Sequence, residues 1–80
     1  MTEKTVTIHA SLDARQAAFF VQTASKFESK IQVSIGDKKI NAKSIMGTIS
    51  LGMDQGQVAT VIADGVDEEL AVKELTSVLI

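Results

Sequence analysis

No cysteine occurs in these 80 residues, so neither disulfides nor thiolate-bound metal can staple the fold, and packing alone has to hold it. A chain this short sits near the lower limit for a self-sufficient core. At 45% hydrophobic and 22% charged it has the balance of a globular protein, not of a disordered segment. Proline is absent, and no repeat, linker or low-complexity stretch interrupts the sequence. One domain spanning residues 1–80 is the expectation.

The apolar residues change period along the chain. From Lys4 to Ala10, Val6, Ile8 and Ala10 alternate with Thr5, Thr7 and His9, the period of a half-buried strand. Ser11 and Asp13 are candidate N-caps for a helix from Ala14 to Phe27. Its stripe of Ala14, Ala17, Ala18, Val21 and Ala24, widened by Phe20 and Phe27, is small enough to lie close on a sheet. Ile31, Val33 and Ile35 alternate again, Gly36-Asp37 supplies a tight hairpin turn, and the chain returns as a strand from Lys38 to Ala42. Ser44 opens a short helix from Ile45 to Leu51, with Gly52 near its C-cap.

After a Gln55-Gly56 turn, the β-branched run from Gln57 to Ala63 reads as a fourth strand, ended by Asp64-Gly65. Asp67 then caps a last helix, with Glu68 and Glu69 in its first turn, where the helix dipole favours negative charge. Its buried stripe is Ala71, Leu75, Val78 and Leu79. The order βαββαβα predicts an α+β fold, an open-faced sandwich of one four-stranded antiparallel sheet with three helices on one face. On the fourth strand, either Ala59, Val61 and Ala63 or Val58, Thr60 and Ile62 must face outward.

Three phenylalanines are the only aromatic residues, which argues against a base-stacking nucleic-acid module. No apolar run approaches the ~20 residues that span a bilayer, and no basic stretch leads into an apolar core as in a signal peptide. The expectation is a cytoplasmic protein without membrane or direct nucleic-acid contact. Charge is polarised: Lys4, Arg15, Lys26, Lys30, Lys38, Lys39 and Lys43 precede Met53, whereas Asp54, Asp64, Asp67, Glu68, Glu69 and Glu74 follow it. A single histidine and no cysteine leave no metal site, and no phosphate-cradling glycine loop or Ser-His-Asp set is present, so neither an enzyme nor a cofactor is expected.

Two segments carry a resemblance. Val21-Gln22-Thr23-Ala24-Ser25-Lys26-Phe27 and Asn41-Ala42-Lys43-Ser44-Ile45-Met46-Gly47, continued by Ser50-Leu51-Gly52, resemble HPr of the bacterial sugar phosphotransferase system. The likeness covers nearly the whole chain in the same element order, and it implies the same open-faced sandwich. HPr phosphotransfer uses a histidine in a His-Ala-Arg-Pro setting at the start of the first helix. There an imidazole is nucleophilic near neutral pH, and helical N–H groups with an arginine hold the phosphate. The matching residues here are Asp13-Ala14-Arg15-Gln16, after a shorter loop. A carboxylate at that position competes with phosphate for the same N–H groups, so the phosphocarrier role is expected to be lost.

Within the family the chain is most similar in type to Crh, catabolite repression HPr, which also lacks the histidine, carrying glutamine there. The resemblance implies that Ser44 is phosphorylated by HPr kinase/phosphorylase. The phosphoprotein would then act as corepressor for catabolite control protein A, a LacI-type repressor, in carbon catabolite repression. Arg15, Lys43, Ile45, Met46 and Ile49 are the implied partner-binding residues, with Ile49 the one expected to turn inward. A homodimer formed by exchange of the first strand is a further implied assembly.

Simpler roles stand beside these. Ser44 is also a plain N-cap, worth ~1 kcal/mol to a short helix. Asp13 is a plain cap, a permanent imitation of a phosphorylated histidine, or an aspartyl-phosphate acceptor. The last of these normally needs a metal held by further acidic residues. His9 is a surface strand residue or a substitute phosphate acceptor, although its His9-Ala10-Ser11 setting lacks the arginine.

Overall fold

The computed structural model describes residues 1–80. The elements are β1 (Thr2–Thr7), α1 (Ala14–Ser25), β2 (Lys30–Ile35), β3 (Lys38–Asn41), α2 (Ile45–Leu51), β4 (Val58–Asp64) and α3 (Glu68–Leu79). The strands form one antiparallel sheet in the order β1-β4-β2-β3, so the last strand in sequence is inserted between the first and second. Gly36, at φ 62°, makes the turn between β2 and β3 that a side chain would strain.

The alternation along β4 resolves in one direction. Ala59, Val61 and Ala63 are fully buried under the helices, together with Ile31 and Val33 of β2. Val58, Thr60 and Ile62 lie on the open face, where Thr60 shares a hydrogen bond with Thr5 across the β1–β4 pair. Small alanines on the inner face let the helices come close, and the volume above them is filled by Phe20, Leu75 and Leu79. Burying each of these large side chains contributes roughly 1.5–3 kcal/mol.

Several expectations shift. β1 ends at Thr7, not Ala10, because its pairing stops where β4 begins, at Val58. Ile8 still enters the core, but His9 lies beyond the strand in an exposed bend, its N–H donating to the Leu79 carbonyl at 2.8 Å. The buried face of α1 is Ala17, Phe20, Thr23 and Ala24, whereas Ala14 is exposed, since the Phe20 ring sets which side turns to the sheet. On α3, Val72 and Thr76 join the buried stripe and Val78 is half-buried. Asp67 makes no side-chain cap bond to α3. Instead its carboxylate accepts from the Glu28 amide at 2.9 Å, the Ser29 amide at 3.0 Å and the Ser29 hydroxyl, tying the start of α3 to the α1–β2 loop.

Candidate functional site

The short helix α2 presents the serine singled out by sequence. Ser44 has extended backbone angles (φ −102°, ψ 117°), and its Oγ accepts the Gly47 amide hydrogen at 3.1 Å, an N-cap in geometry as in sequence. Gly52 closes the other end in the left-handed region at φ 66°. Ser44 is partly accessible, so its hydroxyl caps the helix at the protein surface.

Three apolar side chains stand out from this helix: Ile45 is 38% exposed, Met46 73% and Ile49 53%. Ile49 therefore does not turn inward as expected. The inward positions of α2 are Thr48 and Leu51, which puts Ile49 on the outer side of a helix only seven residues long. Lys43 adjoins this surface, but its ammonium donates to the Phe27 carbonyl at 2.7 Å, which anchors the α2 entry to the end of α1. The Lys43 backbone amide donates to Asn41 Oδ1 at 2.8 Å, a local turn that leads into the cap.

Asp13 and Arg15 sit at the other end. Asp13 Oδ1 accepts the Gln16 amide hydrogen at 2.9 Å, so the carboxylate caps α1 at the position where the resemblance places a histidine. Arg15 is exposed and forms no ion pair. The start of α1 meets the end of α2 across a cleft of about 110 Å³ whose lining includes Asp13, Ala17, Thr48 and Ile49. Ser44 opens α2, whereas Asp13 shares a cleft with Thr48, Ile49 and the Gly52 that closes it. His9 is not among the residues lining this cleft.

Two features escaped the sequence pattern. Phe19 is 57% exposed and lines a separate groove between α1 and α3 with Val78. Its position one residue from Phe20, ~100° around the helix, was the available signal. Thr48 is 2% exposed, and its hydroxyl oxygen has no hydrogen-bond partner. Nothing in a Thr-Ile-Ser run announces that.

Comparison with known proteins agrees with this geometry. The family profile for the PTS HPr component phosphorylation site matches residues 2–80. HPr-like protein Crh of Halalkalibacterium halodurans is 46% identical over 77 residues, covering 94% of this chain and 92% of the relative. A crystal structure of HPr-C-His from Thermoanaerobacter tengcongensis superposes with a TM-score of 0.92 at 53% identity, covering 99% of this chain and 91% of that one. The crystal structure of Bacillus subtilis Crh, described as a dimer with a swapped domain, gives a TM-score of 0.80 at 43% identity over 92% of this chain and 85% of that one. No helix is long and apolar enough to cross a membrane. Sheet order, the capped serine helix and identity along almost the full length all lead to one conclusion: the chain belongs to the HPr family and is of the Crh type.

Proposed function

We propose that this chain is one HPr-like regulatory domain, cytoplasmic and not itself an enzyme, that is switched by phosphorylation of Ser44. HPr kinase/phosphorylase transfers the γ-phosphoryl group of ATP to Ser44 Oγ, releasing ADP. The phosphoprotein then docks as corepressor on catabolite control protein A in carbon catabolite repression. The observation that carries the reading is the pairing of a surface N-cap serine with the exposed Ile45, Met46 and Ile49 on the helix it opens.

A phosphate on Ser44 brings ~1.5–2 negative charges to a helix N-terminus, where free N–H groups receive it without refolding. The signal is then a local change of charge beside a fixed apolar surface. Met46 suits such a surface because its unbranched thioether adapts to different partners. Lys43 supplies positive charge beside Ser44, and Arg15 is an exposed cation on the first turn of α1. Loss of the histidine at Asp13 separates this role from phosphotransfer.

Intact-mass analysis after incubation with HPr kinase/phosphorylase and ATP tests the reading. One added phosphate on the parent and none on Ser44→Ala is the expected result, followed by binding of only the phosphorylated form to the repressor. No phosphate on the parent, with the kinase active on ordinary HPr, would overturn it.

A second reading, self-association by exchange of β1, is favoured by the edge position of that strand, which pairs with β4 alone. The swapped-domain description of B. subtilis Crh supports it. Light scattering across a concentration series tests it, a constant monomer mass counting against exchange.

A further inference from the structure

Sulfur occurs in this protein only in three methionines, Met1, Met46 and Met53, and there is no cysteine, tryptophan or tyrosine. Dilute peroxide therefore meets thioethers and nothing more readily oxidised. Burial sorts the three. Met53 is 3% exposed and belongs to the core. Met1 is 80% exposed, but it precedes β1, where its ammonium meets Glu68 Oε2 at 3.0 Å. Met46 is 73% exposed and lies in the first turn of α2, two residues beyond Ser44.

Met46 is also the most exposed member of the apolar strip on α2. Ile45 precedes it, and Ile49 follows three residues on, the spacing of neighbours on one helix face. Oxidant reaches its sulfur without any opening of the fold. The oxidant class is hydrogen peroxide, and the step balances without a further reagent. A sulfur lone pair attacks one peroxide oxygen, the O–O bond breaks and an S–O bond forms. A proton shift releases the other oxygen as water, so sulfur loses the two electrons that the peroxide gains.

The product, methionine sulfoxide, is polar and chiral where the thioether was apolar. On the free protein its oxygen faces water, and the fold is undisturbed. Against an apolar partner surface the same oxygen is stripped of water with no donor to replace it, which costs affinity. We propose that Met46 is a peroxide-modification site whose sulfoxide weakens docking at α2 while leaving the Ser44 hydroxyl intact. This inference rests on the reading of α2 as a docking surface, and it gives that surface a second control. Ser44 gains charge, whereas Met46 loses apolar contact, and sulfoxide reductases restore the thioether.

The test is a hydrogen peroxide time course followed by peptide-mapping mass spectrometry. Met46 and Met1 should oxidise together, with Met53 at least about tenfold slower because it needs opening of the core. After removal of peroxide, phosphorylation of Ser44 by HPr kinase/phosphorylase should be slower in the oxidised protein by at least about fivefold. Treatment with methionine sulfoxide reductases should restore the rate. Met46→Leu keeps an apolar side chain and should be phosphorylated within about twofold of the parent, before and after peroxide. That variant still oxidises at Met1, so its constant rate assigns the effect to Met46. Oxidation of Met46 as slow as that of Met53, or an unchanged rate in the Met46 sulfoxide form, would overturn this inference alone. An unoxidised parent that takes no phosphate would overturn the docking reading and this inference with it.

Discussion

Ser44 and Gly47 are fitted to one another: the Gly47 amide donates to Ser44 Oγ at 3.1 Å, and a Cβ on Gly47 would stand 3.3 Å from that same oxygen and 3.4 Å from Ile40 Cβ. Gly47 has no positive φ, so its backbone does not require glycine. What requires it is room beside the hydroxyl.

Gly47→Ala should therefore affect modification more than folding. Alanine gains about 1 kcal/mol of helix propensity over glycine, which offsets crowding of similar size, so the net stability change stays below about 1 kcal/mol. The new methyl, however, occupies space that a phosphoryl group approaching Ser44 needs. Phosphorylation by HPr kinase/phosphorylase should slow about tenfold, equivalent to about 1.4 kcal/mol in the barrier. Timed intact-mass measurements on both proteins check this, and an unchanged rate would show that the phosphoryl group approaches from the other side.

Replacing Ser44 itself is not structurally silent. Ser44→Ala removes the acceptor for the Gly47 amide and should cost about 1 kcal/mol, a fall in melting temperature of about 4–8 °C for a domain of this size. Ser44→Asp and Ser44→Asn both keep a capping oxygen and should melt close to the parent. Urea titration of the three variants decides between a capping role and a merely exposed serine. Ser44→Asn is then the better non-phosphorylatable control for partner binding, because it leaves α2 capped.

Acid should remove the stability that the two carboxylates at the start of α3 contribute. Glu68 is held at about 2, with the Thr2 hydroxyl as the largest cause, then the Met1 ammonium and the Gly65 amide. Asp67 is held below the usual carboxylate range, chiefly by the Ser29 hydroxyl and then the Glu28 amide. Both folded-state values lie below the unfolded ones of about 4, so these groups contribute stability above that pH and lose it as pH falls through the folded values. The urea midpoint should stay level between about pH 7 and 5 and decline between about pH 5 and 2. Asp67→Asn should flatten part of that decline, and an equal decline in the variant would assign it to other carboxylates.

The sequence carried local structure well and non-local structure poorly. The bounds of α2, its Ser44 cap and its Gly52 terminus are all set within ten residues of chain, and sequence and structure agree there. Asp67 illustrates the opposite case. In sequence it precedes two glutamates and reads as a helix cap, but its partners are Glu28 and Ser29, 39 and 38 residues away. β1 was displaced for the same reason, since the alternation continues through Ile8 and Ala10 while the strand that could pair with them has already ended. On α2, the assumption that an isoleucine is the inward residue hid the fact that Thr48 takes that place. The candidate site was legible as a serine with its apolar neighbours, but the cleft between Asp13, Thr48 and Asp54 exists only once α1 and α2 are packed together.

Of the five glycines, Gly65 is the most tightly hemmed in, where its loop meets Ser29. A Cβ on Gly65 would fall 2.6 Å from both Ser29 Cα and Ser29 Oγ, a separation that side chains do not tolerate. Ser29 cannot retreat easily, because it is buried and both its amide and its hydroxyl donate to Asp67. Gly65→Ala should thus destabilise by more than about 2 kcal/mol, a core-like cost from a surface turn. The clash has a backbone part and a side-chain part, and a second substitution separates them. Ser29→Gly removes Oγ and Cβ but leaves Cα in place, so the double variant should recover little of the loss. Urea denaturation of the parent, both single variants and the pair gives the coupling. Full recovery in the pair would mean that only the side chain obstructs residue 65, and that the two loops can separate more readily than the Asp67 bonds suggest.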